Sequence, residues 1–123
     1  MSKEYALNLP WPPSVNRLWR HVIVGRSVRT LVSRDGRQYK EDVQRACLIQ
    51  NAPRQLKGDV VLQIKLEPPD RRRRDVDNSL KALLDALTSA GVWQDDSQVA
   101  DIHIWRSSCV KDGRVVVKIL TNC

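Results

Sequence analysis

The chain has 123 residues, 41% of them hydrophobic and 28% charged, which fits one globular domain of about 100–150 residues and leaves no room for two. Lys and Arg total 21 against 14 Asp and Glu, a formal net charge of +7 at pH 7, and that excess favours a polyanionic partner, phosphate before others. No apolar run approaches the roughly 20 residues needed to cross a bilayer, and the opening MSKEYALNLP has neither the basic start nor the apolar core of a signal peptide, so the expectation is a soluble cytoplasmic protein with no membrane partner.

Tyr5, Leu7 and Leu9 alternate with Ala6 and Asn8, the period of a half-buried strand, and Pro10, Pro12 and Pro13 stop it. HVIV at 21–24 and SVRTLV at 27–32 flank Gly25-Arg26 and predict a hairpin rich in β-branched residues. From Asp35 the period changes. Tyr39, Val43, Ala46, Cys47 and Gln50 share one helical face, predicting a helix of about four turns that ends before Pro53. Val60, Leu62, Ile64 and Leu66 alternate with Val61, Gln63 and Lys65 and predict a strand over 59–66, closed by Pro68-Pro69.

Leu80, Leu83, Leu84 and Leu87 form the apolar stripe of a helix over 78–90, with Gly91 placed as its left-handed C-terminal cap. Two further strands, 99–106 and 114–120, are joined by a turn around Lys111-Asp112-Gly113. The order β-ββ-α-β-α-ββ predicts an α/β (α+β) fold, a mixed β-sheet with two main helices packed on it, in a single domain over 1–123. These patterns leave the pairing order of the strands open.

The chemistry concentrates between the predicted strand 59–66 and the helix that follows it. Pro69-Asp70-Arg71-Arg72-Arg73-Arg74-Asp75-Val76-Asp77-Asn78-Ser79-Leu80-Lys81 packs four arginines and three aspartates into a strand-to-helix junction. Arg71, Arg72, Arg73 and Arg74 are either a solvated run or a phosphate-binding one. Asp75 and Asp77, two residues apart in irregular backbone, can turn toward one point, or one can cap the helix while both pair with arginine. A helix needs one N-cap, which leaves the second carboxylate and Asn78 without a role. Lys81, four residues after Asp77, either faces that carboxylate and reaches a phosphate oxygen or is half of an exposed ion pair. Asp95-Asp96-Ser97-Gln98, one helix length downstream, is either turn chemistry or a second acidic pair that the following strand returns toward the first.

Three or four carboxylates without a useful histidine or thiolate make a hard-oxygen site suited to Mg²⁺, or to Mn²⁺ in its place. Cys47, Cys109 and Cys123 are odd in number and lack a C-x-x-C pair, which argues against a disulfide scaffold or structural zinc and for reduced thiols. His21 and His103 read as structural or surface residues. An EF-hand fails on spacing, since counting from Asp75 puts Leu80 where glycine is needed and Ala86 where the bidentate glutamate belongs. No phosphate-binding loop, G-x-S-x-G elbow or Gly-rich dinucleotide loop is present, so a nucleotide cofactor is not expected. Acidic metal ligands within a basic chain suit phosphodiester hydrolysis, in which Arg and Lys hold a polyanion that the carboxylates would otherwise repel.

PDRRRRDVDNSLKALLDALTSAGVWQDDSQV strongly resembles the metal-binding core of the RusA family of Holliday junction resolvases, and LPWPPSVNRLWRH resembles that family's opening motif. The resemblance implies a small homodimeric, Mg²⁺-dependent endonuclease that resolves four-way DNA junctions by paired nicks in recombination and repair, in a family common in phages and prophages. Carried over by position, Asp75, Asp77 and Asp96 are the acidic triad and Lys81 the catalytic lysine, with Arg74 and Asn78 in support. In the opening motif, Asn16, Arg17 and Arg20 either contact DNA phosphate around a rigid Pro12-Pro13 turn or are solvated while Trp19 packs inward. The competing functions are a non-catalytic basic nucleic-acid-binding module and a phage structural protein that assembles through its basic face.

Overall fold

Side-chain alternation along the strands decides which side of the sheet becomes the core. A computed structural model describes residues 2–13, 19–24, 27–32 and 34–122. The elements are β1 (Ser2–Pro10), β2 (Trp19–Val24), β3 (Ser27–Val32), α1 (Arg34–Ile49), β4 (Val60–Glu67), a 3-10 turn (Val76–Ser79), α2 (Leu80–Ser89), a second 3-10 turn (Asp96–Gln98), β5 (Val99–Arg106) and β6 (Arg114–Asn122). Leu7 and Leu9 of β1, Val60, Leu62, Ile64 and Leu66 of β4, and Val115, Val117 and Ile119 of β6 all bury their side chains in one core. The two helices pack against each other, and α1 lies against β1. They bring Tyr39, Val43 and Cys47 from α1 and Ala82, Leu83, Ala86 and Leu87 from α2 into the same core.

The main sheet is mixed, in the order β1-β6-β4-β5, and β2 and β3 form a separate antiparallel hairpin. β6 runs antiparallel to both β1 and β4, whereas β4 and β5 are parallel. β5 and β6, consecutive in the chain, are therefore separated by β4. A parallel neighbour needs a crossover of a dozen or more residues, which α2 and its flanking turns supply. Ser107 and Val110 beyond β5 donate their amides to the carbonyls of Leu66 and Pro68, at 2.7 and 2.9 Å, so the connection to β6 stays tied to the end of β4.

Helix termini are fixed by local chemistry. Gly91 has φ +81, and the amides of Gly91 and Val92 bond back to the carbonyls of Thr88 and Leu87, which closes α2 in a Schellman motif. Gln50, predicted on the inward face of α1, instead lies at the surface, where its amide spans both backbone groups of Asn8 at 2.7 and 2.8 Å and fastens the helix end to β1. The Tyr39 hydroxyl donates to the Pro10 carbonyl at 3.0 Å, and burial pushes its pKa far up. Gly113 has φ +74, and a Cβ there would lie 2.8 Å from the Cβ of Trp11, so the turn into β6 admits a side chain neither by conformation nor by space.

Candidate metal and nucleic-acid site

The junction after β4 is organised by Asp70. Its carboxylate accepts from Arg74 Nη1 at 2.8 Å, from Arg72 Nη2 at 3.2 Å and from the Arg72 backbone amide at 2.9 Å. Arg74 first, and then the Arg72 amide, hold the Asp70 carboxyl well below the usual carboxylate range. The Arg74 guanidinium also sits 5.7 Å from the centroid of the Trp11 ring, a cation–π distance, and donates to the Asp70 carbonyl at 3.3 Å. Arg72 and Arg74 thus shape the loop, while Arg71 and Arg73 stand exposed. From the far end of β5, Arg106 Nη1 donates to the Arg74 carbonyl at 3.1 Å.

This arrangement removes the alternative role considered for Asp75 and Asp77. Asp75 occupies the N-cap position of the first 3-10 turn in extended conformation, yet its side chain makes no capping hydrogen bond. Among the described residues, the arginine ion pairs at this junction go to Asp70, not to Asp75 or Asp77. Both remaining carboxylates are exposed and Asn78 is half-buried between them and α2 in sequence. The first 3-10 turn lies against β5.

The second acidic pair divides in a similar way. Trp93 is fully buried, and its indole donates to the Thr88 hydroxyl at 2.8 Å, which anchors the turn that follows. Asp95 then forms a capping box with Gln98 and accepts from the Ser97 hydroxyl at 2.7 Å. That hydroxyl, followed by the neighbouring Asp96 side chain, holds Asp95 below the usual carboxylate range. The Gln98 side chain donates to the carbonyls of Leu56 and Gly58 at 2.8 and 2.9 Å and accepts from the amides of Gln94 and Asp95. Asp96 has no part in that capping box and is exposed at the head of the turn leading into β5.

Lys81 lies 3.5 Å from Asp85, one turn further along α2, and among the described residues no ion pair joins it to Asp77. The sequence expectation assumed one helical period from Asp77 to Lys81. Residues 76–79 instead form a 3-10 turn, with three residues per turn rather than 3.6, so the register with Asp77 is lost and the register with Asp85 is kept. Asp85 was not a sequence candidate; its signal was the i,i+4 spacing from Lys81. Asn16 and Arg17 lie outside the described residues, and Arg20 is placed only by its backbone, in β2.

Among the described residues, no group of three or more His, Cys, Asp and Glu side chains is gathered closely enough to hold a metal ion. Carboxylates drawn together without a counter-charge repel by about 1 kcal/mol per pair at 4 Å even in bulk water. The donor chemistry nevertheless fits a hard divalent cation, because Asp75, Asp77 and Asp96 offer carboxylate oxygens in exposed turns where none serves as a cap. His103 stacks at a tilt on exposed Trp105, 5.0 Å between ring centroids, and is a surface residue. Cys47 is buried and Cys109 exposed, both as free thiols.

Comparison with known proteins bears on the same residues. The profile described as Endodeoxyribonuclease RusA matches residues 10–120. The chain belongs to the RusA family. A RusA relative from Escherichia coli strain K12, named crossover junction endodeoxyribonuclease RusA, is 44% identical over 117 residues, covering 94% of this chain and 92% of the relative. The RusA protein of Enterobacteria phage 82, of the same name, is 42% identical over 115 residues with the same coverage of each chain. A third RusA relative, from Shigella sonnei strain Ss046, is 43% identical over 117 residues, again covering 94% and 92%. Phage and bacterial members thus both align with nearly the whole chain, including the acidic turns and the arginine run.

Proposed function

We propose that this protein is a crossover junction endodeoxyribonuclease that hydrolyses phosphodiesters in four-way DNA junctions, with Asp75, Asp77 and Asp96 holding Mg²⁺. The observation that carries the reading is the division of labour among the aspartates: Asp70 and Asp95 do the structural work of their turns, leaving the other three without capping roles. Bound Mg²⁺ would supply Lewis-acid activation of water and neutralisation of charge at the reacting phosphorus. Asp75 and Asp77 lie in the turn before α2 and Asp96 in the turn that leads into β5, one turn at each end of the α2 crossover. Lys81, more than half exposed, supplies a mobile ammonium to a phosphate oxygen or the departing oxygen, with Asp85 holding it on the α2 surface. The exposed arginines offset the repulsion between carboxylates and substrate. Products are a 5′-phosphate and a 3′-hydroxyl.

A four-way junction presents two opposed scissile strands, and one chain carries one such acidic set, so a C2 homodimer places two sites across a two-fold substrate. Light scattering should give about twice the 14.1 kDa chain mass. Synthetic four-way, Y-shaped and linear DNA incubated with Mg²⁺ or with EDTA tests the activity. Paired nicks in the four-way substrate, dependent on Mg²⁺, are expected. DNA binding with no metal-dependent cleavage of any substrate would leave a basic binding module instead.

A further inference from the structure

β4 and β5 are parallel neighbours, and in open sheets ligands gather beyond the carboxyl ends of such strands. Beyond those two ends lies a cleft of about 500 Å³, walled on the β4 side by Asp70 and Arg71 to Arg73 and on the β5 side by Arg106 and Cys109. That volume falls within the range of about 300–1,000 Å³ common for small-molecule sites. Four guanidinium groups from segments more than 30 residues apart thus converge on one opening. Like charges brought together repel, and only part of that repulsion is relieved internally. Asp70 pairs with Arg72 and Arg74, and Glu67, the next carboxylate along the chain, is bound 2.8 Å from Arg114. Among the described residues no carboxylate is within ion-pair distance of Arg71, Arg73 or Arg106. A cleft with surplus fixed positive charge and multiple N–H forks is complementary to phosphate oxygens.

Resting on the endonuclease reading above, we propose that this cleft binds the DNA backbone phosphates flanking the cut, with Arg71, Arg73 and Arg106 as their ligands. Asp75 lies two positions beyond Arg73, at most about 7 Å of extended chain. A DNA strand carries one phosphate per about 3.4 Å of helix axis, so the phosphates held here lie within a few nucleotides of the one facing Asp75. Arg106 also donates to the Arg74 carbonyl, so one guanidinium connects the bound phosphate to the chain segment that bears the acidic residues. Arg106 is in this sense both a DNA ligand and a positioning residue.

Cys109 is an exposed free thiol in the wall of the cleft, whereas Cys47 is buried, so Cys109 can report occupancy directly. The test uses a full-length Cys123→Ser, Asp77→Asn protein in EDTA, alkylated with N-ethylmaleimide alone, with a four-way junction, or with inorganic phosphate. Four-way DNA should slow Cys109 alkylation in proportion to the fraction of protein bound, while phosphate at the same phosphate concentration leaves it unchanged. Equal protection by inorganic phosphate would make the cleft a small-anion pocket and overturn the assignment, as would an unchanged rate on saturated DNA. Arg106→Gln keeps an N–H donor for the Arg74 carbonyl but loses the charge, and should lower the slope of log K against log salt by about one unit. An unchanged slope would leave Arg106 purely structural. Mg²⁺-dependent cleavage by the unsubstituted protein is scored separately: cleavage with Cys109 unprotected removes this cleft and spares the endonuclease reading, whereas protection without cleavage does the reverse.

Discussion

The two 3-10 turns that present the aspartates are built on opposite terms. Before β5, Asp95 and Gln98 close the turn with a capping box, Gln98 fastens it to Leu56 and Gly58, and buried Trp93 anchors it from behind. Before α2, Asp75 sits at the cap position without capping, and the loop is organised instead by the carboxylate of Asp70, five residues earlier. The closed turn fixes the backbone that carries Asp96, while the open one leaves Asp75 without a capping bond to hold its side chain. Three carboxylates pressed together without a counter-charge would destabilise the fold, and keeping Asp75 and Asp77 in one exposed turn and Asp96 in another avoids that cost.

The largest expected effect separates chemistry from structure. Asp75→Asn, Asp77→Asn and Asp96→Asn should each slow four-way junction cleavage in Mg²⁺ by about 100-fold or more, because water activation and charge stabilisation each account for several kcal/mol. Junction binding should remain at least as tight as in the parent, with Glu41→Gln on the exposed face of α1 as the control. Parental cleavage rates in Asp75→Asn and Asp77→Asn would end the catalytic reading of the open turn.

Stability distinguishes the turns next. Gln98→Ala removes four hydrogen bonds at the closed turn and should cost about 1–3 kcal/mol in urea unfolding, whereas Asp75→Ala, with no cap to lose, should stay within about 0.5 kcal/mol. Comparable losses would erase the contrast.

A smaller effect is expected at Lys81. An exposed i,i+4 pair contributes about 0.3–0.5 kcal/mol, so Asp85→Asn should change single-turnover cleavage by about twofold. A loss as deep as that of the triad variants would put Asp85 in the reaction itself. The smallest effect concerns pH. The folded-state pKa of Asp70 is depressed, chiefly by Arg74, so its ordering of the loop is present above the ordinary aspartate range and fades as pH falls through the lowered value. A carboxyl-carbon NMR titration should place the Asp70 midpoint below that range and move it upward in high salt, since the pair is solvent-exposed.

Much of this molecule is legible in its sequence wherever one period or one cap governs the outcome. The alternation of Val60 to Leu66, the stripe Tyr39-Val43-Cys47 and the glycine closing α2 are local signals, and the structure places all three as expected. Strand order was not legible, because pairing β5 with β4 rather than with β6 depends on contacts that no window of residues contains. Nor was the choice of structural aspartate. Asp70 and Asp75 look alike in the string, as do Asp95 and Asp96, and only backbone conformation and the reach of neighbouring arginine or glutamine side chains tell them apart. Lys81 illustrates a third kind of limit: it lies four residues from both Asp77 and Asp85, and a single 3-10 turn breaks the first spacing while sparing the second.

The pairing of β1 with β6 has a consequence for how the chain folds. Ser2 lies opposite Asn122 and Pro10 opposite Arg114, so half of the sheet's antiparallel ladders join segments about a hundred residues apart. Closing so long a loop carries an entropic penalty before any contact rewards it, and topologies dominated by such distant pairings fold in milliseconds to seconds rather than microseconds. During synthesis, β1 emerges first and waits with an unpaired edge until β6 follows. The β4–α2–β5 unit, complete within Val60–Arg106, is the part that can assemble while it waits, and it carries both acidic turns, so they can form before the sheet around them is finished.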